Sequence, residues 1–316
     1  MRSISQLREG SSVRETYLCR KRQLLTTKNG KQYESLTLQD KTGSIDAKIW
    51  DPDSAGIGDF EELDYVFVVG EVTSFQGRLQ MNIKQLRKCR EGEYDPADYL
   101  PVSERNIDEM MSVVLKYVDS VKDPYMQQLL RAFFVEDEDF VSAFRFSSAA
   151  KSIHHGFVGG LLEHTLGVTN LCHFYCRNYP YLKRDLLITA ALLHDIGKVR
   201  ELSAFPRNDY TDDGQFIGHI VIGVSMIDEK LREIPDFPAM EAMELRHCIL
   251  AHHGEMEFGS PKKPAIIEAA ALHMADNTDA KLEMFKEALG AGQPDSDGWL
   301  GYQSLLESNI RRTIMD

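Results

Sequence analysis

The chain has 316 residues, 43% hydrophobic and 27% charged, with a formal net charge of −13. That length supports a sizeable core shared between two domains, and the overall acidity excludes a generally basic nucleic-acid binder. The longest apolar run, Leu186 to Leu193, falls short of the ~18 residues of a membrane span, and Met1-Arg2-Ser3-Ile4-Ser5 offers no apolar signal segment.

The charge is unevenly spread. Residues 1–90 carry 15 Lys+Arg against 12 Asp+Glu, a balance of +3, and the remainder carries 21 against 37, a balance of −16. Basic clusters in the first part stand at Arg20-Lys21-Arg22 with Lys28 and Lys31, and at Lys84, Arg87, Lys88 and Arg90. Such clusters are commonly no more than a solvated face, so they leave nucleic-acid binding open without establishing it. The five cysteines are widely spaced, odd in number and without a CxxC pair. Reduced thiols in a soluble cytoplasmic protein are the expectation.

Residues 1–90 read as short strands. Val13–Leu25 ends at the turn signal Lys28-Asn29-Gly30, Tyr33–Leu38 ends at Asp40-Lys41-Thr42-Gly43, and Ser44–Trp50 alternates with Ile45, Ala47 and Ile49 on one face. After a Gly/Asp-rich stretch come Tyr65–Val72 and Arg78–Leu86, joined at Gln76-Gly77. Five strands with an irregular insertion between the third and fourth suit a small OB-type β-barrel. Barrels of this kind bind single strands with basic residues and aromatic stacking platforms. Tyr17, Tyr33, Trp50 and Phe75, with Arg22 among the basic residues, are the candidates, although each type is as often core or ordinary surface.

Residues 91–104, with Pro96, Pro101 and an acidic run, read as a linker. Residues 105–316 read as an all-α domain. Ile107, Met110, Met111, Val114, Leu115 and Val118 recur at helical spacing, and Asp123-Pro124 opens the next helix. Helices are expected to continue to the C-terminus, with no second group of strands.

All ten histidines lie between His154 and His273. Several accompany acids: His164, the pair His194-Asp195, His219, the pair His252-His253, and Asp276. Imidazole and carboxylate are the donors that hold first-row divalent metals. The helix Leu186–Leu193 runs directly into His194-Asp195-Ile196-Gly197-Lys198, and burying such polar groups is costly unless something satisfies them. A metal would. His164, His219, His252 and Asp276 each fall on or at the end of a different predicted helix, as in a bundle converging on a core metal centre. Gly197 permits close backbone approach. His173 and His247 are read as packed or surface residues. His273 stands one turn from Asp276 and is expected to support it by a hydrogen bond. His154 and His155 are placed either at the substrate or in a shaping loop, and Asp279 either behind the site or in solvent.

The series His, His-Asp, His, His-His, Asp, with the segment His194 to Lys198 intact, resembles the HD-domain metal-dependent phosphohydrolases. It is similar in particular to the YhaM-like 3′-5′ exoribonucleases, in which an OB-type domain precedes an HD domain. Ala251-His252-His253-Gly254, where the family typically has Ser first, Gly259-Ser260-Pro261, Glu268-Ala269 and Leu272-His273 extend the likeness over nearly the whole chain. The resemblance implies that His164, His194, Asp195 and Asp276 bind one ion. It further implies that Asp195 bridges to a second, held by His219 and His252, with His253 completing it or meeting substrate. Asp195 and Lys198 are thereby the catalytic candidates, Lys198 as a point charge on the scissile phosphate. Manganese is the ion implied, while the donors themselves also suit Fe, Co or Zn. The implied substrate is single-stranded RNA, with single-stranded DNA left open, and the products are 5′-mononucleotides. Assembly into a homo-oligomer is left open. Two alternatives stand beside this reading: an HD-type nucleotide or cyclic-dinucleotide phosphohydrolase, and a nucleic-acid-binding regulator whose HD domain is structural.

Overall fold

Strands β1 (Ser12–Thr26), β2 (Gln32–Asp40), β3 (Gly43–Ile49), β4 (Tyr65–Phe75) and β5 (Arg78–Lys88) close into a barrel in the order β1-β2-β3-β5-β4. The computed structural model describes residues 3–151, 155–291, 295 and 297–314, and the chain divides after Val102 into two compact units. In the barrel, β3 and β5 run parallel through Asp46–Lys48 and Gln80–Asn82, and the other pairs are antiparallel. This is the five-stranded OB topology. Alternation decides what lies inside: Leu36 and Leu38, then Ile45, Ala47 and Ile49, then Val66 and Val68, point inward at every second position. β1 pairs with β4 through its first half and with β2 through its second, and a register shift at Cys19/Lys21 marks the change of partner. A bulge there bends one long strand around the barrel corner.

Tyr17 does not serve as a surface platform. It is 0% exposed, inside the barrel core, because it falls on the inward register of β1. The segment read as a linker also differs from expectation. Tyr94 stacks on Tyr65 at 3.8 Å between ring centroids and Tyr99 meets Tyr65 edge-on at 5.3 Å. Gln39 Nε2 donates to the Tyr99 carbonyl at 2.9 Å, and Lys41 pairs with Asp98 at 2.8 Å. Residues 91–102 therefore form a strap on the barrel, with Tyr99 and Leu100 buried.

The second unit contains α1 (Ile107–Ser120), α2 (Pro124–Phe134), α3 (Glu138–Phe146), α4 (Gly160–Asn178), α5 (Arg184–Leu193), α6 (Lys198–Glu201), α7 (Asp212–Phe216), α8 (His219–Leu231), α9 (Ala239–Ala251) and α10 (Ile267–Ala291). Asn106, Asp123 and Asp137 cap α1, α2 and α3 by accepting from backbone N–H groups of the first turn. Helix α5 is buried at every position from Leu186 to Leu193. A helix apolar on all sides is stable only at the centre, and α2, α4, α9 and α10 pack around it. Among the described residues no helix is long and apolar enough to cross a membrane.

The expectation of helix to the C-terminus is corrected. Strands β6 (Trp299–Gln303) and β7 (Ser308–Arg311) pair as an antiparallel hairpin. Segments of five and four residues are too short for alternation to show against a helical background.

Candidate metal centre

Two helix ends deliver the central histidines. His194 and His252 occupy the C-cap positions of α5 and α9, where backbone carbonyls lack intrahelical partners. Each turns back and donates through Nδ1 to the carbonyl three residues earlier, Ala191 at 2.8 Å and Ile249 at 2.7 Å. A carbonyl can only accept, so Nδ1 carries the proton and Nε2 is left as a lone pair aimed inward. His253 is fixed in the same way by the Phe258 carbonyl at 2.8 Å. Carboxylates hold the other two: His164 Nδ1 meets Asp279 Oδ2 at 2.7 Å, and His219 Nδ1 meets Glu201 Oε1 at 2.9 Å.

The inward nitrogens gather on two sides of Asp195. Asp195 Oδ2 lies 3.4 Å from His194 Nε2 and 3.5 Å from His164 Nε2, and Asp276 Oδ1 closes that side at 3.1 Å from His164 Nε2. On the other side, Asp195 Oδ1 lies 3.5 Å from His219 Nε2 and 3.6 Å from His252 Nε2. His164, His194 and Asp276 form one compact donor set, and His219, His252 and His253 a second. Asp195 Oδ1, His219 Nε2 and His252 Nε2 are buried without a hydrogen-bond partner. Buried polar atoms in native proteins are nearly always satisfied, so three orphaned atoms converging on one point fit a bound cation. These residues suit a divalent metal with N/O donors.

The electrostatics agree. Burial works against a charge on His164, yet Asp276 and Asp279 outweigh it and raise its pKa to about 10, so without an ion a proton on His164 carries the positive charge, and metal binding there displaces that proton. Burial alone would raise Asp195, but Lys198 and His194 hold its pKa well below the ordinary carboxylate range. Burial keeps His252 and His253 low, the neutral form a metal ligand needs. The field thus favours a positive charge between the carboxylates.

Close backbone packing makes this possible. At Gly197 a Cβ would overlap the carbonyl of His219, so only glycine lets α8 approach the turn that follows α5. Lys198 Nζ stands 2.7 Å from Asp195 Oδ2. Its side chain lines, with His164, Asp195, His253, His273 and Asp276, a cavity of about 330 Å³. A larger cavity of about 680 Å³, lined by Lys122, Lys183, Arg184 and Glu241, contains none of these donors.

The structure brings together His164, His194, Asp195, Lys198, His219, His252, His253 and Asp276. His273 donates not to Asp276 but to the His252 carbonyl at 3.0 Å, because the α10 turn faces it toward the end of α9. His155 is 3% exposed and contacts Asp279 at 3.2 Å, and with His164 and Asp279 it forms a third donor group. His154 lies outside the described residues. His173 packs edge-on to Tyr117, and His247 accepts from the Ala265 amide, both away from the donor sets. Glu201, the partner of His219 Nδ1, is a residue at the site that sequence reasoning missed. It precedes His219 by 18 positions, and no periodicity links them. Asp279 carried a faint signal, one helical turn beyond Asp276.

On the barrel, Tyr33 and Trp50 stack at 5.1 Å between centroids, and Lys48 Nζ stands 5.8 Å from the Tyr33 ring centre. Trp50 is 47% exposed and Phe75 60%, so both present apolar rings to solvent. Arg22 is committed to the barrel itself. Its guanidinium bonds both oxygens of Glu34 and the Phe60 carbonyl, and lies over the Phe60 ring.

Residues 161–281 match the HD domain family, and residues 18–88 match the OB-fold nucleic acid binding domain family. The chain is 38% identical to the 3′-5′ exoribonuclease YhaM of Bacillus subtilis over 84% of both chains. It is 36% identical to the protein of the same name from Bacillus velezensis over 90% of both. Among solved structures, the second OB-fold domain of replication protein A from Methanococcus maripaludis aligns with 29% of this chain and 97% of that chain. Its identity is 23% and its TM-score 0.24, too low to bear on this chain.

Proposed function

The chain belongs to the YhaM 3′-5′ exoribonuclease family, and from that premise we propose that it is a metal-dependent exonuclease removing 5′-mononucleotides from the 3′ end of single-stranded RNA. The observation that carries this reading is Asp195, a buried carboxylate whose two oxygens face two separate sets of imidazole nitrogens. His164, His194, Asp195 and Asp276 would hold one ion; Asp195, His219, His252 and His253 would hold another, manganese being the ion first in line. A pair of divalent ions supplies charge neutralisation at a phosphodiester and a deprotonated water at neutral pH.

The chain's own groups do the rest. Asp195 fixes the spacing of the two sides. Lys198, at the cavity wall, offers a cationic point charge to the phosphate. Glu201 and Asp279 keep His219 and His164 in the tautomer that presents Nε2. The stacked Tyr33–Trp50 pair with Lys48 would engage upstream nucleotides through base faces and phosphates, as sequence-tolerant single-strand binders do.

The test is incubation with manganese and a 5′-labelled oligoribonucleotide, beside a panel of nucleotides and cyclic dinucleotides. Progressive shortening from the 3′ end with release of 5′-mononucleotides is expected. Hydrolysis of the small nucleotides with RNA left intact would overturn the reading. A DNA oligonucleotide of the same sequence, run in parallel, decides whether single-stranded DNA is a second substrate. Asp195→Ala is expected to abolish turnover and lower the metal content from two ions per chain; full turnover with both ions retained would refute the bridging role.

A further inference from the structure

Phe258 has no part in the core, yet it is placed with care. The residue is 63% exposed and lines the same cavity as His164, Asp195, Lys198 and Asp276. Its carbonyl accepts from His253 Nδ1 at 2.8 Å, so one residue both orients a metal-facing imidazole and presents an aromatic ring at the cavity wall. The turn that carries it is bounded by two glycines. Gly254 has φ +75°, and a Cβ there would overlap the His273 ring; Gly259 follows the short helix Met256–Phe258 with φ +83°. Both positions favour glycine.

From this placement, and resting on the exonuclease reading, we infer that Phe258 is the stacking shelf for the 3′-terminal base of the substrate. A cavity of about 330 Å³ is at the small end of ligand clefts and suits a terminal nucleotide rather than a folded RNA. Every base has a π-face, so an aromatic shelf holds any 3′ end without reading its sequence. The hydrogen bond through the Phe258 carbonyl ties the position of that base to the His253 side of the centre. The shelf therefore sets which phosphodiester lies over Asp195.

The experiment uses the full chain carrying Asp195→Ala to prevent cleavage, and a short oligoribonucleotide with 2-aminopurine either at the 3′ terminus or at an internal position. Binding is expected to quench the terminal probe strongly. Phe258→Leu, apolar but without a π-face, should abolish that quenching, while Phe258→Tyr should keep it. Replacing the terminal base by an abasic residue should weaken binding roughly tenfold with Phe258 present and leave it unchanged in the Phe258→Leu chain. Equal terminal quenching in the Leu and Phe chains would overturn the shelf. So would loss of metal from an otherwise native Phe258→Leu protein, since that would reduce Phe258 to a structural support for His253. RNA left intact by the native enzyme, with Phe258-dependent quenching preserved, would fault the exonuclease reading while sustaining the shelf.

Discussion

At the scale of single residues, the centre depends on which atom each imidazole donates from. Nδ1 of His219 is committed to Glu201, and Nδ1 of His164 to Asp279. Removing such a partner lets the ring turn or change tautomer, at a typical loss of about 10–100-fold in metal affinity. Glu201→Ala should therefore release the ion on the His219, His252 and His253 side first and leave the His164 and His194 side loaded. Metal titration of the variant, reading two ions per chain against one, checks this; equal weakening of both sides would show that Glu201 acts on the whole centre. Lys198→Ala is different in kind. Its ammonium stands beside Asp195 but is no donor to a cation, so turnover should fall by about a hundredfold with metal content unchanged. Loss of metal together with activity would mean that Lys198 holds the site together.

At the scale of elements, caps and straps matter more than the sequence pattern suggests. Asp137 caps α3 through the Phe140 amide and pairs with Lys230 at 2.9 Å. Lys230 first, and then the Phe140 N–H, hold its pKa below the ordinary value of 3.8. A carboxylate depressed on folding adds stability above its unfolded pKa and loses that stability as pH falls through the folded one. Asp137→Ala should thus destabilise the helical unit by about 1 kcal/mol near neutrality, and the gap to the native chain should narrow below about pH 4. Urea unfolding at several pH values measures it, and a gap that stays constant into the acid range would exclude the charge contribution. The strap over the barrel gives a parallel case. Tyr99 is 4% exposed against Tyr65, and Tyr99→Ala should lower barrel stability by roughly 3 kcal/mol. A barrel cut at residue 90 should melt below one cut at residue 102. The five barrel strands were legible because each runs for seven residues or more between turn signals, whereas the strap was not: Pro96, Pro101 and acidic residues signal irregular backbone equally well whether it is free or packed.

At the scale of the whole molecule, charge divides the labour. The strands balance at +3 over residues 1–90, the strap 91–102 adds four acids and no base, and the helical unit from residue 103 carries −12, so that unit repels a polyanion except where cations and Lys198 reverse the local field. Deleting residues 1–102 should leave a folded helical unit that still cleaves a small nitrophenyl phosphodiester, because all the donors lie between His164 and Asp276. Affinity for a long single strand should fall, and its salt dependence should flatten as phosphate contacts are lost. Titrations of both chains at two salt concentrations, in an Asp195→Ala background, decide it. Equal affinities and equal slopes would remove the barrel from RNA binding and leave it a role in assembly.

By itself the sequence determined the two architectures and picked out the histidines and acids to consider as donors. Alternation and helical spacing are local properties, and histidines confined to one stretch beside acids are visible without coordinates. Only the tertiary structure decided which nitrogen of each ring faces inward, that Asp195 stands between two donor sets, and that Glu201 meets His219 and His155 meets Asp279. These are contacts between segments far apart in the chain. They arise because α5, buried on all sides, draws α4, α9 and α10 around it, and no spacing along the chain records which side chains such packing brings together.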